Sequence, residues 1–269
     1  MVKVSVVIPA YKSARFIKET VESVLAQENI DLELIVSLQG PEDGTREILA
    51  AIDDSRLRVL DAPAGAAKEN WTFVSKQASG EFIKLIPADD VLKPNMLANQ
   101  VRLLENNPTA VLTASKREII DDENNVMKKS WGLIGIHGRM SGFTVIRKVI
   151  GMGLNSLGEP GGILMRREAF EQAGGWDFTH PYVVDLETYL HVLELGDFVA
   201  DESVAVKFRV SGTQWTAQLQ EVQSAHVIGM NQEFAERLPH VVTKAVLFRG
   251  NMMARVMQFA RGAMYKFKK

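Results

Sequence analysis

The sequence predicts an α/β fold, a mainly parallel sheet flanked by helices, with a helical appendage at the carboxyl end. Three observations carry this. Short β-branched runs alternate with helical patterns through the first half, the signature of stacked strand–helix–strand units. The intervening segments repeat apolar residues at helical spacing instead of at every second position. The chain has 269 residues, which fits one large α/β domain or two small ones of roughly 100–200 residues each.

In chain order, Val4–Ile8, Leu32–Val36, Leu57–Leu60, Phe82–Ile86 and Ala110–Thr113 read as strands. Arg15–Gln27 is helical because Ile17, Val21, Val24 and Leu25 share one face, Lys68–Ser79 is a second helix, and a third starts at Pro94, where proline suits the first turn. Lys116 onward is looser: a charged hairpin over Ile119–Met127, a helix near Phe143–Ile150, and the glycine-rich stretch Gly158–Gly162. Asp185–Leu195 reads as a helix, Val204–Val210 as a late strand, and Gln214–Arg237 and Val241–Phe267 as two closing helices. Ligands of parallel sheets bind beyond the carboxyl ends of the strands, so Pro9–Tyr11, Leu38–Gly40 and Pro87–Asp90 should gather on one rim.

Composition narrows the chemistry. With 46% hydrophobic and 24% charged residues, wholesale disorder and a collagen-like fibre are excluded. The absence of cysteine rules out disulfides, thiolate zinc sites and a cysteine nucleophile, so any metal must be held by oxygen or imidazole. No apolar run approaches a membrane span and Met1–Ile8 is too short for a signal-peptide core, which predicts a cytoplasmic chain. The net charge of −2 hides a gradient: the residues after Leu238 carry seven basic side chains and no acid, leaving −9 on residues 1–238. That acidic body offers no groove for nucleic acid.

Asp89-Asp90 directly follows a buried-type strand at the rim. Adjacent side chains leave an extended backbone in opposite directions, so one carboxylate can accept from a ribose while the other reaches a divalent cation on a diphosphate. A turn in which aspartate caps the next helix is the competing reading. Here the sequence stops being anonymous. Val4–Lys12, followed by Phe16-Ile17, Thr20-Val21 and Ser23–Gln27, then Glu33–Val36 with Asp43-Gly44-Thr45, Ala78–Ile83 leading to Asp89-Asp90, and Gly174–Asp177 closely resemble, as an ordered series, family 2 glycosyltransferases. The resemblance runs from residue 1 to about 210. It implies a GT-A fold and inverting transfer of a sugar from a nucleotide donor, with residues 1–115 the nucleotide-sugar-binding half, 116–212 the acceptor-binding half of the same domain, and 213–269 a set of carboxyl-terminal helices.

Carried over by position, Pro9, Ala10 and Tyr11 cradle the base, Asp89 binds ribose and Asp90 holds Mn²⁺ or Mg²⁺. Leu38-Gln39 stands where relatives commonly have two acids; Gln39 still offers an amide acceptor, favouring UDP or dTDP donors and leaving base recognition uncharged. Lys68 falls near a cation facing the nucleotide in relatives, and reads equally as a surface lysine. Asp185 matches the family's catalytic base and also suits a helix cap. Glu159, Gly161 and Gly162 form a sugar or acceptor loop. Arg209 reads as a diphosphate contact or equally as a residue paired within the sheet, and Ser211 replaces a frequent histidine. His137, His180 and His191 show no metal spacing and read as structural or surface. The leading function is therefore a metal-dependent inverting glycosyltransferase acting on a glycan or lipid-linked acceptor in cell-surface polysaccharide synthesis. The alternative is a non-catalytic nucleotide-sugar-binding or scaffold protein.

The tail bears on the acceptor. Val242, Val246, Met253, Met257, Ala260, Met264 and Phe267 form one helical stripe, with Lys244, Arg255, Lys266 and Lys269 opposite. One reading lays residues 241–269 on an anionic membrane surface, making the protein peripheral on the inner face of the cell membrane. The other packs the stripe on the catalytic domain or a second subunit.

Overall fold

The computed structural model describes residues 2–211 and 222–266, with side chains described as far as Phe259. Its centre is a ten-stranded mixed sheet whose main path runs β3 (Leu57–Asp61), β2 (Leu32–Gln39), β1 (Val4–Tyr11), β4 (Phe82–Leu85), β9 (Ile163–Arg166), β6 (Ala110–Ile120), β10 (Asp197–Arg209) and β5 (Val91–Leu92). β7 (Val126–Trp131) pairs with β6, and β8 (Arg139–Ser141) pairs with β10. β1 to β4 run parallel to one another, as do β6 and β10, while β9 lies antiparallel between β4 and β6. One continuous sheet therefore spans both halves drawn from the sequence.

Alternation along β1 sends Val4, Val6 and Ile8 to one face and Val7 to the other, and two buried clusters form accordingly. Helices α1 (Ile17–Leu25) and α4 (Met96–Glu105) cover the first face, with Leu49 of α2 (Thr45–Ala50). The second lies under α3 (Ala67–Ser75), α5 (Gly142–Met152), α6 (Arg167–Gln172), α7 (Val184–Leu193) and α8 (Gln223–Arg237). Trp176 seals this layer: its indole N–H donates to Ser75 Oγ at 2.8 Å, and its ring meets Trp71 edge-on at 5.0 Å. The predicted hairpin is present, its turn closed by Asp121 Oδ1, which accepts from the N–H groups of Glu123 and Asn125. β6 and β10 are longer than their apolar runs suggest, because each pairs along its charged part too.

At the carboxyl end the predicted helix Gln214–Arg237 is described from Gln223; its earlier residues lie outside the described set. Helix α9 (Lys244–Lys266) packs on α5 and α8. The stripe read from the sequence turns inward: Val242 is buried and Val246, Met253 and Met257 are half-buried, while Ala260, Met264 and Phe267 lie beyond the described side chains. Gly250 does not interrupt this helix. It lets α9 approach α5, since a Cβ there would collide with the carbonyl oxygen of Ile150. Asn231 Nδ2 donates to Asn251 Oδ1 at 2.9 Å, tying α8 to α9.

Gly250→Ala should therefore destabilise the fold by about 1–3 kcal/mol through overpacking, read from chemical unfolding. Phe248→Ser on the exposed face of the same helix should stay within about 0.5 kcal/mol of the parent. Equal effects would show that the α5–α9 crossing is not close-packed.

Candidate functional site

The parallel pairing of β1, β2 and β4 places their carboxyl ends on one rim. Tyr11 and Gln39 are direct neighbours across β1 and β2, and Leu38 faces Asp61 across β2 and β3. A surface pocket of about 380 Å³ opens there, lined by Ala10, Lys12, Gln39, Asp43, Arg46 and Asp61 among others. Two loops frame it and are bolted together. Asp43 accepts from the N–H groups of Ala14 and Thr45 and from the Thr45 hydroxyl, and these bonds hold its carboxyl below the usual range against a desolvation cost that acts the other way. Tyr11 is 56% exposed, its ring lying over Gly40, where a Cβ would come within 2.5 Å of the ring edge. Gly40 has φ +91°, so glycine is required there on two counts.

Gln39 Nε2 donates to Pro63 O at 3.0 Å, which turns the amide so that its oxygen remains to accept. The pocket is not uncharged, as the sequence implied: Asp61 sits one strand beyond Leu38 and is ion-paired with Arg46. Pro9 is half-buried within β1, Ala10 is buried, and Lys68 is exposed on the first turn of α3 outside the pocket lining. Asn70, unremarked in the sequence, is buried beneath the rim, accepting from Ser37 Oγ and donating to Ala10 O at 3.3 Å.

Asp89 and Asp90 follow β4. Asp89 is half-buried; Asp90 is fully buried, and its Oδ1 accepts the backbone N–H of Arg209 at 3.0 Å. Its Oδ2 is buried and accepts no hydrogen bond among the described residues. Burial first, and then the charge of Asp89, push the Asp90 carboxyl well above the ordinary carboxylate range. A buried carboxylate oxygen with no donor is a fit for one ligand position of a hard divalent cation. Arg209, read from the sequence as a diphosphate contact or a residue paired within the sheet, is fully buried behind the pair. Its Nε donates to Asp89 O at 2.9 Å, Nη1 to Asp121 O at 3.0 Å and Nη2 to Glu19 Oε2 at 2.8 Å, with the guanidinium 4.2 Å from the Phe16 ring centre. This geometry makes it a clamp on the Asp89-Asp90 backbone.

The loop Asn155–Gly162 connects this acid pair to Asp185. Gly161 lies against Asp90, where a Cβ would stand 3.1 Å from Oδ2. Glu159 is ion-paired with the buried Arg117 of β6, and its charge acts on both Asp90 and Asp185. Asp185, in the first turn of α7, is half-buried and accepts from Asn155 Nδ2 at 3.0 Å. Burial pushes its carboxyl up to about 7; Glu159 adds to this, while the Leu186 N–H and Arg117 oppose it. Beneath the loop, Lys84 of β4 is completely buried and donates to Gly161 O at 2.9 Å and Ile163 O at 2.5 Å. Gln100 Nε2 donates to Gly162 O and Ser115 Oγ, each at 2.8 Å. Arg117, Asn155 and Lys84 were missed in the sequence. The one available signal was a lysine at the centre of the apolar run Phe82–Ile86.

A likeness covering nearly the whole chain is to a solved mannosyltransferase of Pyrobaculum calidifontis, PcManGT, in complex with GDP-Man and Mn²⁺: TM-score 0.68 at 18% identity, covering 99% of this chain and 76% of that one. The fold is thus of the GT-A type. In sequence, the chain is 25% identical over 223 residues to an uncharacterised glycosyltransferase of Rickettsia conorii, covering 80% of this chain and 35% of that protein's length. It is 32% identical over 127 residues to the Escherichia coli UDP-Glc:alpha-D-GlcNAc-diphosphoundecaprenol beta-1,3-glucosyltransferase WfgD, covering 46% of this chain and 49% of that one. The chain therefore spans about a third of the Rickettsia relative and half of the Escherichia one. Residues 5–174, more than half of the chain, match the sequence model described as Glycosyl transferase family 2, and the chain belongs to that family.

Proposed function

We propose that the protein is an inverting glycosyltransferase that moves a sugar from a nucleotide-diphosphate donor to a lipid-linked or glycan acceptor in polysaccharide synthesis. The observation that carries this reading is the loop Asn155–Gly162, which touches the donor-side carboxylate Asp90 through Gly161 and the acceptor-side carboxylate Asp185 through Asn155. The base of the donor occupies the pocket at Ala10, Tyr11 and Gln39, where the Gln39 amide oxygen suits the single N3–H of uracil or thymine. UDP-Glc is the donor named for the Escherichia relative. Asp89 takes the ribose. Residues 1–115 then serve the donor and 116–212 the acceptor, with Glu159, Gly161 and Gly162 around the transferred sugar.

Inversion needs one displacement and one base. Asp185 takes the proton of the acceptor hydroxyl as its oxygen bonds to the anomeric carbon from the face opposite the diphosphate. The anomeric carbon–oxygen bond breaks on the other side, and its electron pair leaves with the nucleotide. Asp90 would hold a divalent cation, Mn²⁺ or Mg²⁺, which would supply positive charge at that leaving group; Mn²⁺ accompanies GDP-Man in the Pyrobaculum neighbour. Arg209 and Lys84 act at one remove, fixing the backbone of Asp89-Asp90 and of the sugar loop.

The acceptor side extends to α5 and α9. The inward turn of the predicted stripe leaves a different apolar row outside: Phe248 is 72% exposed, Met252 48%, Val256 51% and Phe259 82%, spaced along one helical face. Lys244, Arg249 and Arg255 of α9 and Phe143, Arg147 and Lys148 of α5 are exposed beside it. An apolar and basic face of this kind suits the surface of an anionic bilayer, where each cation is worth about 1 kcal/mol. Among the described residues no helix is long and apolar enough to cross a membrane.

Asp185→Asn should retain donor binding and lose transfer by about 10²–10⁴-fold, measured as glycan product. Because the carboxyl sits near 7 and acts deprotonated, transfer by the parent should fall as pH drops through about 7. Full transfer by the variant would move the base elsewhere, and binding without transfer by the parent would favour a scaffold. Asp90→Asn should lower Mn²⁺-dependent nucleotide release by about 100-fold or more; undiminished release would remove Asp90 from the cation site. The unaltered chain should sediment with anionic vesicles and not with neutral ones. Replacing Phe248 and Phe259 together by serine should cut that partitioning at least about tenfold, since a buried phenylalanine contributes about 1.5–3 kcal/mol. Binding that survives the double change would sink the membrane role.

A further inference from the structure

A second group of ligating side chains lies where the 3-10 turn Pro181–Val183 and helices α7 and α8 meet. Asp177, Glu187 and His191 each offer one ligand atom, all within 4.8 Å of one another, and His180, Glu187 and Glu233 do the same. Glu187, shared by both sets, is fully buried. Its Oε1 lies 2.7 Å from His180 Nδ1, while its Oε2 is buried and accepts no hydrogen bond among the described residues. His191 Nε2 stands 3.3 Å from Asp177 Oδ2 and 4.0 Å from Glu233 Oε1.

We propose that Asp177, Glu187 and His191, with Glu233 beside them, bind one transition-metal ion of the Zn²⁺ class, at a site separate from the cation position at Asp90. Three carboxylates converge here, Glu187 fully buried among them, and the arginine ion-paired at this cluster among the described residues, Arg237, is already bonded to Glu194 and Glu233. An unpaired oxygen on a buried carboxylate is costly, and a cation on that side removes the cost. Mixed imidazole and carboxylate ligands without thiolate suit Zn²⁺ over Mg²⁺. Ligand atoms about 2.0–2.1 Å from a tetrahedral ion stand about 3.3 Å apart, which is the His191–Asp177 separation.

The far side of His191 fits the same role. Its Nδ1 has two neighbours, Arg237 Nη1 at 2.9 Å and Glu194 Oε1 at 3.2 Å. Accepting from Arg237 leaves the ring proton on Nε2, facing Asp177; donating to Glu194 frees the Nε2 lone pair for a metal. Ion binding selects the second arrangement, with Glu194 orienting the ring. Glu187 lies two residues beyond Asp185 on α7, and Glu233 belongs to α8. The bound ion would therefore fasten the base-bearing helix to the carboxyl-terminal helices without touching the reacting atoms. Histidine spacing in the sequence could not reveal this site, because its ligands come from three separate segments.

The test uses the full chain, stripped with chelator, desalted and titrated with Zn²⁺ alone. One equivalent should remain after desalting, and at a hundredfold excess over Kd the unfolding temperature should rise by about 5–10 °C. Asp177→Asn and Glu187→Gln should lose both effects, Glu194→Gln should weaken binding by about 10–100-fold, and Asp90→Asn should keep stoichiometric Zn²⁺. Absence of retained Zn²⁺ in the parent would overturn the proposal, as would loss through Asp90→Asn or retention by both ligand variants. Should Glu187→Gln fail to fold, as judged by circular dichroism, Glu194→Gln decides the matter: undiminished affinity there overturns the assignment of His191.

Discussion

Lys84 Nζ lies under the sugar loop and donates to the carbonyl oxygens of Gly161 and Ile163. Those bonds are what let a glycine-rich turn hold one shape between the carboxylates of Asp90 and Asp185. Burial lowers the lysine to about 7, with Asp201 pulling the other way, and either protonation state keeps enough N–H groups for both carbonyls. Gln100 secures Gly162 from the α4 side, and Ser115, which receives from Gln100, donates to Asp201 at 2.6 Å. The network draws on β4, α4, β6 and β10, so the loop inherits the rigidity of the sheet instead of its own chain. A loop left to its glycines would lose the placement of Glu159 and Gly161 first.

The same logic governs the acid pair. Arg209 spends its guanidinium on two backbone carbonyls and Glu19, and its N–H on Asp90. Three of its five guanidinium N–H groups are thus held around the strand end, while Asp90 Oδ2 accepts no hydrogen bond among the described residues. Asp185 shows the opposite balance. It is half-open, with Asn155 fixing one oxygen, and desolvation brings its carboxyl to the range where a base can both hold and release a proton near neutrality. The two aspartates differ in surroundings, in burial and in hydrogen-bond partners.

Much of this was legible in the sequence. The rim strands, their helices and the hairpin follow from apolar period and turn residues, which are local properties. An ordered series of motifs singled out Asp89, Asp90 and Asp185 by their place in the chain, and the structure sets Asp90 and Asp185 at the two ends of the loop Asn155–Gly162. What escaped depends on contacts between distant segments. Lys84 reads as an ordinary strand residue until Gly161 and Ile163 are seen above it. Arg209 carries the right charge for a diphosphate, and only the fold shows Asp89 O, Asp121 O and Glu19 gathered around it. His191 meets Asp177 and Glu233 across two helices, a relation that residue spacing does not encode.

Helix α9 shows why periodicity settled its fold and not its surface. The helix is apolar on more than one side: Val246, Met253 and Met257 fit one stripe, Phe248, Met252, Val256 and Phe259 another. A pattern can place both rows on a helix, but which one is buried depends on how closely that side can approach a neighbour. Gly250 and Ala254 lie with the first row, and their small size lets α5 come into backbone contact. Packing on the domain and binding a bilayer were opposed readings of one stripe. With two stripes they become compatible, because the row that docks the helix is not the row it presents. The exposed row lies beside the cations of α5, so a bilayer that held it would also hold the domain through α5, and with it the acceptor side of the sheet.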